Sequence, residues 1–183
     1  MPRCLRCGAE IKEGNYCPHC LVEILKEMAE GKFEDKGRQF EQKIREYVEK
    51  ILKELEAFDK LIAIANYPIM GFSGADYEVD IAILDRDQNV KVLIECASIG
   101  GKHPYQYFDK MARDYTKLSD ILYYWRSKIP KLEALEVVDR PPYERESPKV
   151  NYQKLFHMIN VAYVIFDEDG RKTIREIFER VVT

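Results

Sequence analysis

The stretch YEVDIAILDRDQNVKVLIECA, residues 77–97, decides how the chain is read. Two runs rich in Val and Ile, 77–84 and 90–97, flank the polar segment DRDQN, which is the pattern of a β-hairpin. If Asp85 stands opposite Val90, then Asp80 stands opposite Glu95. Opposed side chains in a sheet have Cβ atoms about 4.5–5.5 Å apart, so two carboxylates placed this way repel. A divalent cation bridging both offsets the repulsion, and oxygen ligands at that separation suit Mg²⁺ or Mn²⁺. Asp76 and Glu78 share the parity of Asp80 and fall on the same face. The competing reading leaves these acids on the solvated face of an ordinary hairpin, where a slip of one residue separates them.

Outward from the hairpin the pattern changes period. On the amino-terminal side Phe40, Ile44, Val48, Ile51, Leu55, Phe58 and Ile62 trace one helical stripe, predicting a helix over about 38–65 that ends before Pro68. On the carboxy-terminal side Gly100, Gly101 and Pro104 break the strand. Phe108, Met111, Tyr115, Leu118, Leu122 and Trp125 then mark a second helix, which Pro130 stops. Residues 140–149, RPPYERESPK, read as a loop, and 151–159 as a short helix. The run VAYVIF, 161–166, reads as a buried strand, followed by a DEDG turn and a terminal helix with Ile174, Ile177, Phe178 and Val181 inward. The expected order is helix, one or more strands, hairpin, helix, strand, helix, a mixed α/β (α+β) sheet flanked by helices.

Four of the five cysteines lie in the first twenty residues, in CLRCGAEIKEGNYCPHC, 4–20. Cys4 and Cys7 form one Cys-x2-Cys pair, and Cys17 and Cys20 form the second. Each pair can grip one edge of a tetrahedral Zn²⁺, and four thiolates fill its valences, so the expected site is structural with no open position for chemistry. The competing reading is two disulfides, which an intracellular chain disfavours. His19, inside the second pair, is a substitute ligand that four cysteines make unnecessary, and Cys96 is expected to be a small buried residue. A short helix carrying Leu21, Ile24, Leu25 and Met28 follows, then a connection over 31–37.

The chain has 183 residues, 46% hydrophobic and 33% charged, which fits one domain with a small appendage and excludes a large two-domain enzyme. No stretch approaches the roughly 18 apolar residues of a membrane span, and the start MPRCLRCGAE lacks a leader's apolar core, so a cytoplasmic location without membrane contact is expected. The net charge of -3 denies it a whole-surface attraction to nucleic acid. Charge is nonetheless segregated. Residues 101–131 carry seven Lys or Arg against three Asp, interleaved with tyrosines and Trp125, a composition that suits phosphates and unstacked bases. With Tyr115 and Trp125 assigned to the core, Lys102, Lys110, Arg113 and Lys117 are expected as an exposed, nucleic-acid-binding stripe. His103 lies beside Lys102 in the turn, and His157 is expected to be structural.

The cysteine segment resembles a zinc ribbon, with Gly8 after the first pair and Pro18 inside the second. Residues 37–166 resemble the core of the PD-(D/E)XK, or restriction endonuclease-like, nucleases. The carriers are GRQFE at 37–41, similar to the opening Gly-x-x-Phe-Glu of archaeal resolvase and Mrr-like branches, EVD ending at Asp80, and LIECA containing Glu95. The resemblance implies that Glu41, Asp80 and Glu95 hold one or two Mg²⁺ or Mn²⁺ ions, which would generate the attacking hydroxide and stabilise charge on the phosphate. The family's lysine, two residues after the Glu, is here Ala97. Lys91 begins about 13 Å from Glu95 at 3.3 Å per residue, which leaves Lys102 as the expected substitute.

The resulting expectation is a zinc ribbon over 1–20, a connecting helix and loop over 21–37, and a restriction endonuclease-like domain over 38–183. Its expected function is nucleic-acid binding, DNA ahead of RNA, with Mg²⁺-dependent cleavage of the phosphodiester backbone. The alternative is a catalytically inactive nuclease fold, a binding or adaptor module that docks nucleic acid, a second copy or a protein complex through the ribbon.

Overall fold

The computed structural model describes residues 3–4, 7–10, 17–20, 22–23, 36–98, 104–140 and 151–183. A five-stranded mixed sheet lies between two helical layers, in an α+β arrangement. The helices are α1 (Lys36–Glu54), α2 (Pro104–Trp125), α3 (Tyr152–Met158) and α4 (Glu168–Val182). The strands are β1 (Leu61–Met70), β2 (Asp76–Asp85), β3 (Val90–Ala97), β4 (Glu133–Val138) and β5 (Ala162–Ile165), and their spatial order is their chain order. β1, β2 and β3 pair antiparallel, whereas β3–β4 and β4–β5 are parallel. Among the described residues no helix is long and apolar enough to cross a membrane.

Each face of the sheet owns a core. Phe40, Ile44, Val48 and Ile51 of α1 and Ile174, Ile177 and Phe178 of α4 pack on Ile81, Ile83, Val92, Ile94, Leu135 and Val137. On the opposite face Met111, Leu118, Ile121 and Leu122 of α2 and Phe156 of α3 cover Ala82, Leu93, Ala97, Ala134 and Val138. Strands covered on both faces bury nearly every residue, which is why β3 and β4 read as continuous rather than alternating runs.

Three expectations are corrected here. The first helix ends at Glu54 and not near 65. Glu56 takes a left-handed φ of 52°, the Glu56 amide bonds the Lys53 carbonyl, and the Ala57 amide bonds the Leu52 carbonyl at 2.8 Å. That is a Schellman closure, built without the glycine that would announce it in sequence. Phe58 and Ile62, assigned to the helical stripe, are exposed, and 61–70 form an edge strand. The second correction is β4, whose residues EALEVV were assigned to no element. The third is the DEDG turn. Asp167 caps α4 by accepting from the Gly170 amide at 2.9 Å, so the following residues are the helix's first turn.

The hairpin register holds a compensation. Leu84, not Asp85, faces Val90, but the pairs then run Ile83 with Val92 and Ile81 with Ile94. The extra residue, Lys91, makes a β-bulge that shifts the ladder by one. Continued, this register sets Asp80 level with Glu95, as the sequence pattern requires. The turn is closed by Asp85, whose Oδ1 accepts the Asp87 and Asn89 amides.

Gly170 sits against β5 so closely that a Cβ would stand 1.7 Å from the Ile165 carbonyl oxygen. Gly170→Ala is expected to lower stability by about 2 kcal/mol or more, read from chemical unfolding, whereas a wild-type midpoint would show that α4 can shift away from β5.

Candidate active site and metal centre

The sheet face under α2 carries one buried or half-buried carboxylate on each of three neighbouring strands. Glu95 on β3 and Glu136 on β4 are register partners in a parallel ladder, and both are fully buried. Asp80 on β2 accepts the Cys96 amide at 2.7 Å through Oδ2. Helix α2 adds a fourth carboxylate, buried Asp114, and two ammonium groups. Lys110 Nζ lies 3.0 Å from Asp114 Oδ2, 3.8 Å from Glu95 Oε2 and 4.0 Å from Asp80 Oδ2. Lys117 Nζ lies 2.6 Å from Glu95 Oε2 and donates to the Glu78 carbonyl at 2.9 Å. Their spacing of seven residues places both lysines on the same stripe of the helix, two turns apart.

Four carboxylates against two ammonium groups leave an excess of acid away from water. Both oxygens of Glu136 and both of Glu95 lack a hydrogen-bond donor, because Lys117 approaches Glu95 as an ion pair outside hydrogen-bond angles. Burial, reinforced by Asp80 and opposed by Lys117, pushes the Glu95 carboxyl up to about 8, and burial drives Glu136 well above the ordinary carboxylate range. Burial also raises Asp114, against the pull of Lys110. Lys110 moves up as well: burial opposes its charge, and Asp114, Asp80 and Glu95 overcome that.

The candidate residues divide. Asp80 and Glu95 come together. Lys110 and Lys117, expected on an exposed stripe, are instead 22% and 17% exposed and turned into the carboxylates, a correction caused by unpaired acid beneath the helix. Arg113 is exposed, and pairs with Asp109 at 3.5 Å. Glu41 is half-buried on α1, the opposite layer, and its charge acts on Cys96, whose thiol burial, Asp80, Glu136, Glu95 and Glu41 all push up. Asp76 and Glu78 are exposed rather than crowded onto the acidic face. Cys96 is buried, and Tyr115 and Trp125 pack on the core. Lys102 and His103 lie outside the described residues, as do Leu21, Ile24, Leu25 and Met28 and the loop 141–150. Sequence reading missed Glu136 and Asp114. A lone Glu inside the apolar run of β4 is the signal that was there for Glu136.

At the amino terminus Cys4, Cys7, Cys17 and Cys20 place their Sγ atoms within 4.8 Å of one another, and none of the five cysteines is in a disulfide. Cys7 and Cys17 sulfurs are 3.7 Å apart, close to the edge of about 3.8 Å that a tetrahedron with Zn–S bonds near 2.3 Å would have. The first pair is turned by Gly8, whose φ of 75° suits glycine and whose amide bonds the Cys4 carbonyl at 2.9 Å. Arg3 and Glu10 then bridge as a minimal antiparallel pair. Cys4 and Cys20 are buried, and burial raises the Cys20 thiol far above its ordinary value, with hydrogen bonds to Cys17, Cys7 and Cys4 adding to the shift. The four sulfurs therefore fit a zinc ion. Among the described residues they are also the one set of three or more ligand-type side chains whose donor atoms converge; the buried acids do not.

Glu95 gives stability a defined pH dependence. Its carboxyl rises from an ordinary 4.5 to about 8 on folding, so the folded chain binds the extra proton across that window and stability falls as pH rises through it. Without added divalent ions, the chemical-unfolding midpoint is expected to decline between about pH 4.5 and 8, and Glu95→Gln should flatten the decline. An equal slope in both proteins would place the Glu95 proton elsewhere. No family model, no curated protein and no solved structure matches this chain.

Proposed function

We propose that the chain is a nucleic-acid-binding protein that cleaves the phosphodiester backbone with a divalent cation, through a restriction endonuclease-like domain joined to a zinc ribbon. The observation that carries this reading is the delivery of Lys110 and Lys117 into the Asp80 and Glu95 pair. The resemblance lacked a cation at Ala97, and two ammonium groups on α2 reach the same carboxylates from the other side. Strand order and directions, three antiparallel strands followed by a parallel one, agree with that core.

Asp80 and Glu95, with Glu136 behind them, would hold the cation, and the donor-free buried oxygens of Glu95 and Glu136 suit a hard ion. When bound, Mg²⁺ or Mn²⁺ supplies an acidified water and charge stabilisation at the phosphate. The protein's own part is positioning. Asp80, held by the Cys96 amide, has one oxygen oriented by backbone. Lys117, the closer of the two to Glu95, is placed to orient a water and to offset negative charge gathering on the phosphate. Water adds to phosphorus, one P–O bond breaks, and the departing oxygen takes a proton.

The second reading keeps the fold and removes the chemistry. It is favoured by the 2.6 Å Lys117 contact, which already gives Glu95 a positive neighbour, and by acids that do not converge on one point. Mn²⁺ calorimetry and cleavage of labelled DNA separate the two. Saturable Mn²⁺ binding lost in Asp80→Asn, with cutting abolished in Asp80→Asn and Glu95→Gln and slowed about a hundred-fold in Lys117→Ala, is the expected pattern. Cutting that persists in both carboxylate variants removes the proposed site, and absence of both binding and cutting in wild type selects the binding module.

The ribbon is expected to hold one zinc per chain as a structural ion, with all four positions filled by sulfur. Elemental analysis should give near-unit zinc in wild type and in Asp80→Asn, and a large loss in Cys20→Ser. Undiminished zinc in Cys20→Ser would exclude the four-sulfur site.

A further inference from the structure

Large apolar side chains left in solvent are informative when they gather, and Met70, Phe72 and Tyr123 gather at the β1–β2 turn where it meets α2. Phe72 is 62% and Tyr123 71% exposed, and their rings touch edge to face with centroids 4.7 Å apart. The turn that presents Phe72 is braced. Asp120 of α2 accepts the Ser73 amide at 3.0 Å and the Ser73 hydroxyl at 2.6 Å, and its carbonyl accepts the Phe72 amide at 3.1 Å. Gly71 lies so near Asp120 that a Cβ would overlap its carboxylate, and Trp125 donates its indole N–H to the Met70 carbonyl at 2.8 Å. Two exposed rings are thus held by a turn fixed to the same helix that supplies Lys110 and Lys117.

The surroundings favour one occupant. A groove of about 580 Å³ runs beside α2, lined by Tyr77, Lys110, Arg113, Asp114, Thr116 and Lys117. Asp120 and Tyr123 follow Thr116 on the same flank of the helix, and Tyr123 is six residues past Lys117, about 9 Å along the axis at 1.5 Å per residue. Beyond the rings, Lys128 Nζ lies 3.9 Å from the Tyr124 ring centroid. The described part of this segment, 104–131, carries six Lys or Arg against three Asp in an acidic protein. Exposed Arg113 at the groove and exposed Lys128 on the other side of Tyr123 along the chain put positive charge on and just past the helix that carries one of the fixed rings, which matches a strand of phosphates with bases free to stack.

We propose that Phe72 and Tyr123 form a stacking platform for unpaired nucleobases, so that the nucleic acid served by the carboxylate cluster is single-stranded at or next to that cluster. This rests on the nucleic-acid reading above and narrows its substrate class. A fully paired duplex keeps its bases stacked inside and offers the platform nothing.

The experiment is fluorescence anisotropy with the full, zinc-loaded chain and no added Mg²⁺, using a labelled single-stranded oligonucleotide and a blunt duplex of equal length. Wild type is expected to bind the single strand more tightly. The double variant Phe72→Ala with Tyr123→Ala should lose about ten-fold or more of that affinity, keep its duplex affinity and its unfolding midpoint, and recover binding when rebuilt as Phe72→Tyr with Tyr123→Phe. Unchanged single-strand affinity in the alanine variant overturns the platform, as does failure of wild type to bind either oligonucleotide. A dimer in sedimentation that becomes a monomer in the alanine variant overturns it in favour of a contact between copies. Because the binding is read without divalent ions and in Asp80→Asn as well, loss of cleavage sinks the catalytic reading and leaves the platform standing.

Discussion

Two glutamates side by side on adjacent parallel strands, both beyond the reach of water, are the constraint around which this domain is arranged. Taking a carboxylate out of water costs several kcal/mol unless opposite charge comes with it. Helix α2 brings that charge: one face of the helix is apolar and seals the sheet, and the same face carries Lys110 and Lys117 down onto Glu95. The helix is therefore both lid and counter-ion. Its distance from the sheet is set by leucine and methionine packing, and its rotation is held by the ammonium contacts.

The two layers of helix do different jobs. On the α1 and α4 face the core is aliphatic with Phe40 and Phe178, and Cys96 is its contact with the charged row. On the α2 face, apolar packing surrounds a polar strip that continues sideways from Glu136 to its neighbour Tyr163, whose hydroxyl meets Tyr107 at 3.0 Å. The first face gives the sheet a rigid back against which the second can hold charges that would otherwise drift toward solvent.

Much of this was legible in the chain. The hairpin, the α2 stripe, β5, the terminal helix and the cysteine cluster follow from period and spacing because each depends on neighbours close in sequence. The level placement of Asp80 and Glu95 was reached from a turn pairing off by one residue, and the bulge at Lys91 supplied the missing step. What stayed hidden depends on distant partners. The end of α1 rests on a left-handed Glu56, a residue type with no preference for that conformation. β4, six residues long, carries no period of its own and is fixed by the parallel neighbours on either side of it. Lys110 and Lys117 look like solvent-facing residues of an amphipathic helix, and only the acids two strands away reveal where they turn. Glu41 matched a motif by type and spacing, and its charge acts on Cys96 from the opposite layer.

The rims of the sheet carry a consequence for assembly. β1 is a ten-residue border strand, long enough to template another chain, but Asn66 is in a left-handed conformation and Pro68 has no amide hydrogen to offer. The opposite border, β5, is four residues long. An incoming strand would meet an interrupted ladder on one side and a short one on the other, which guards against runaway edge-to-edge polymerisation. The interruption costs the hairpin little, because β1 holds its inner partner β2 along nine residue pairs.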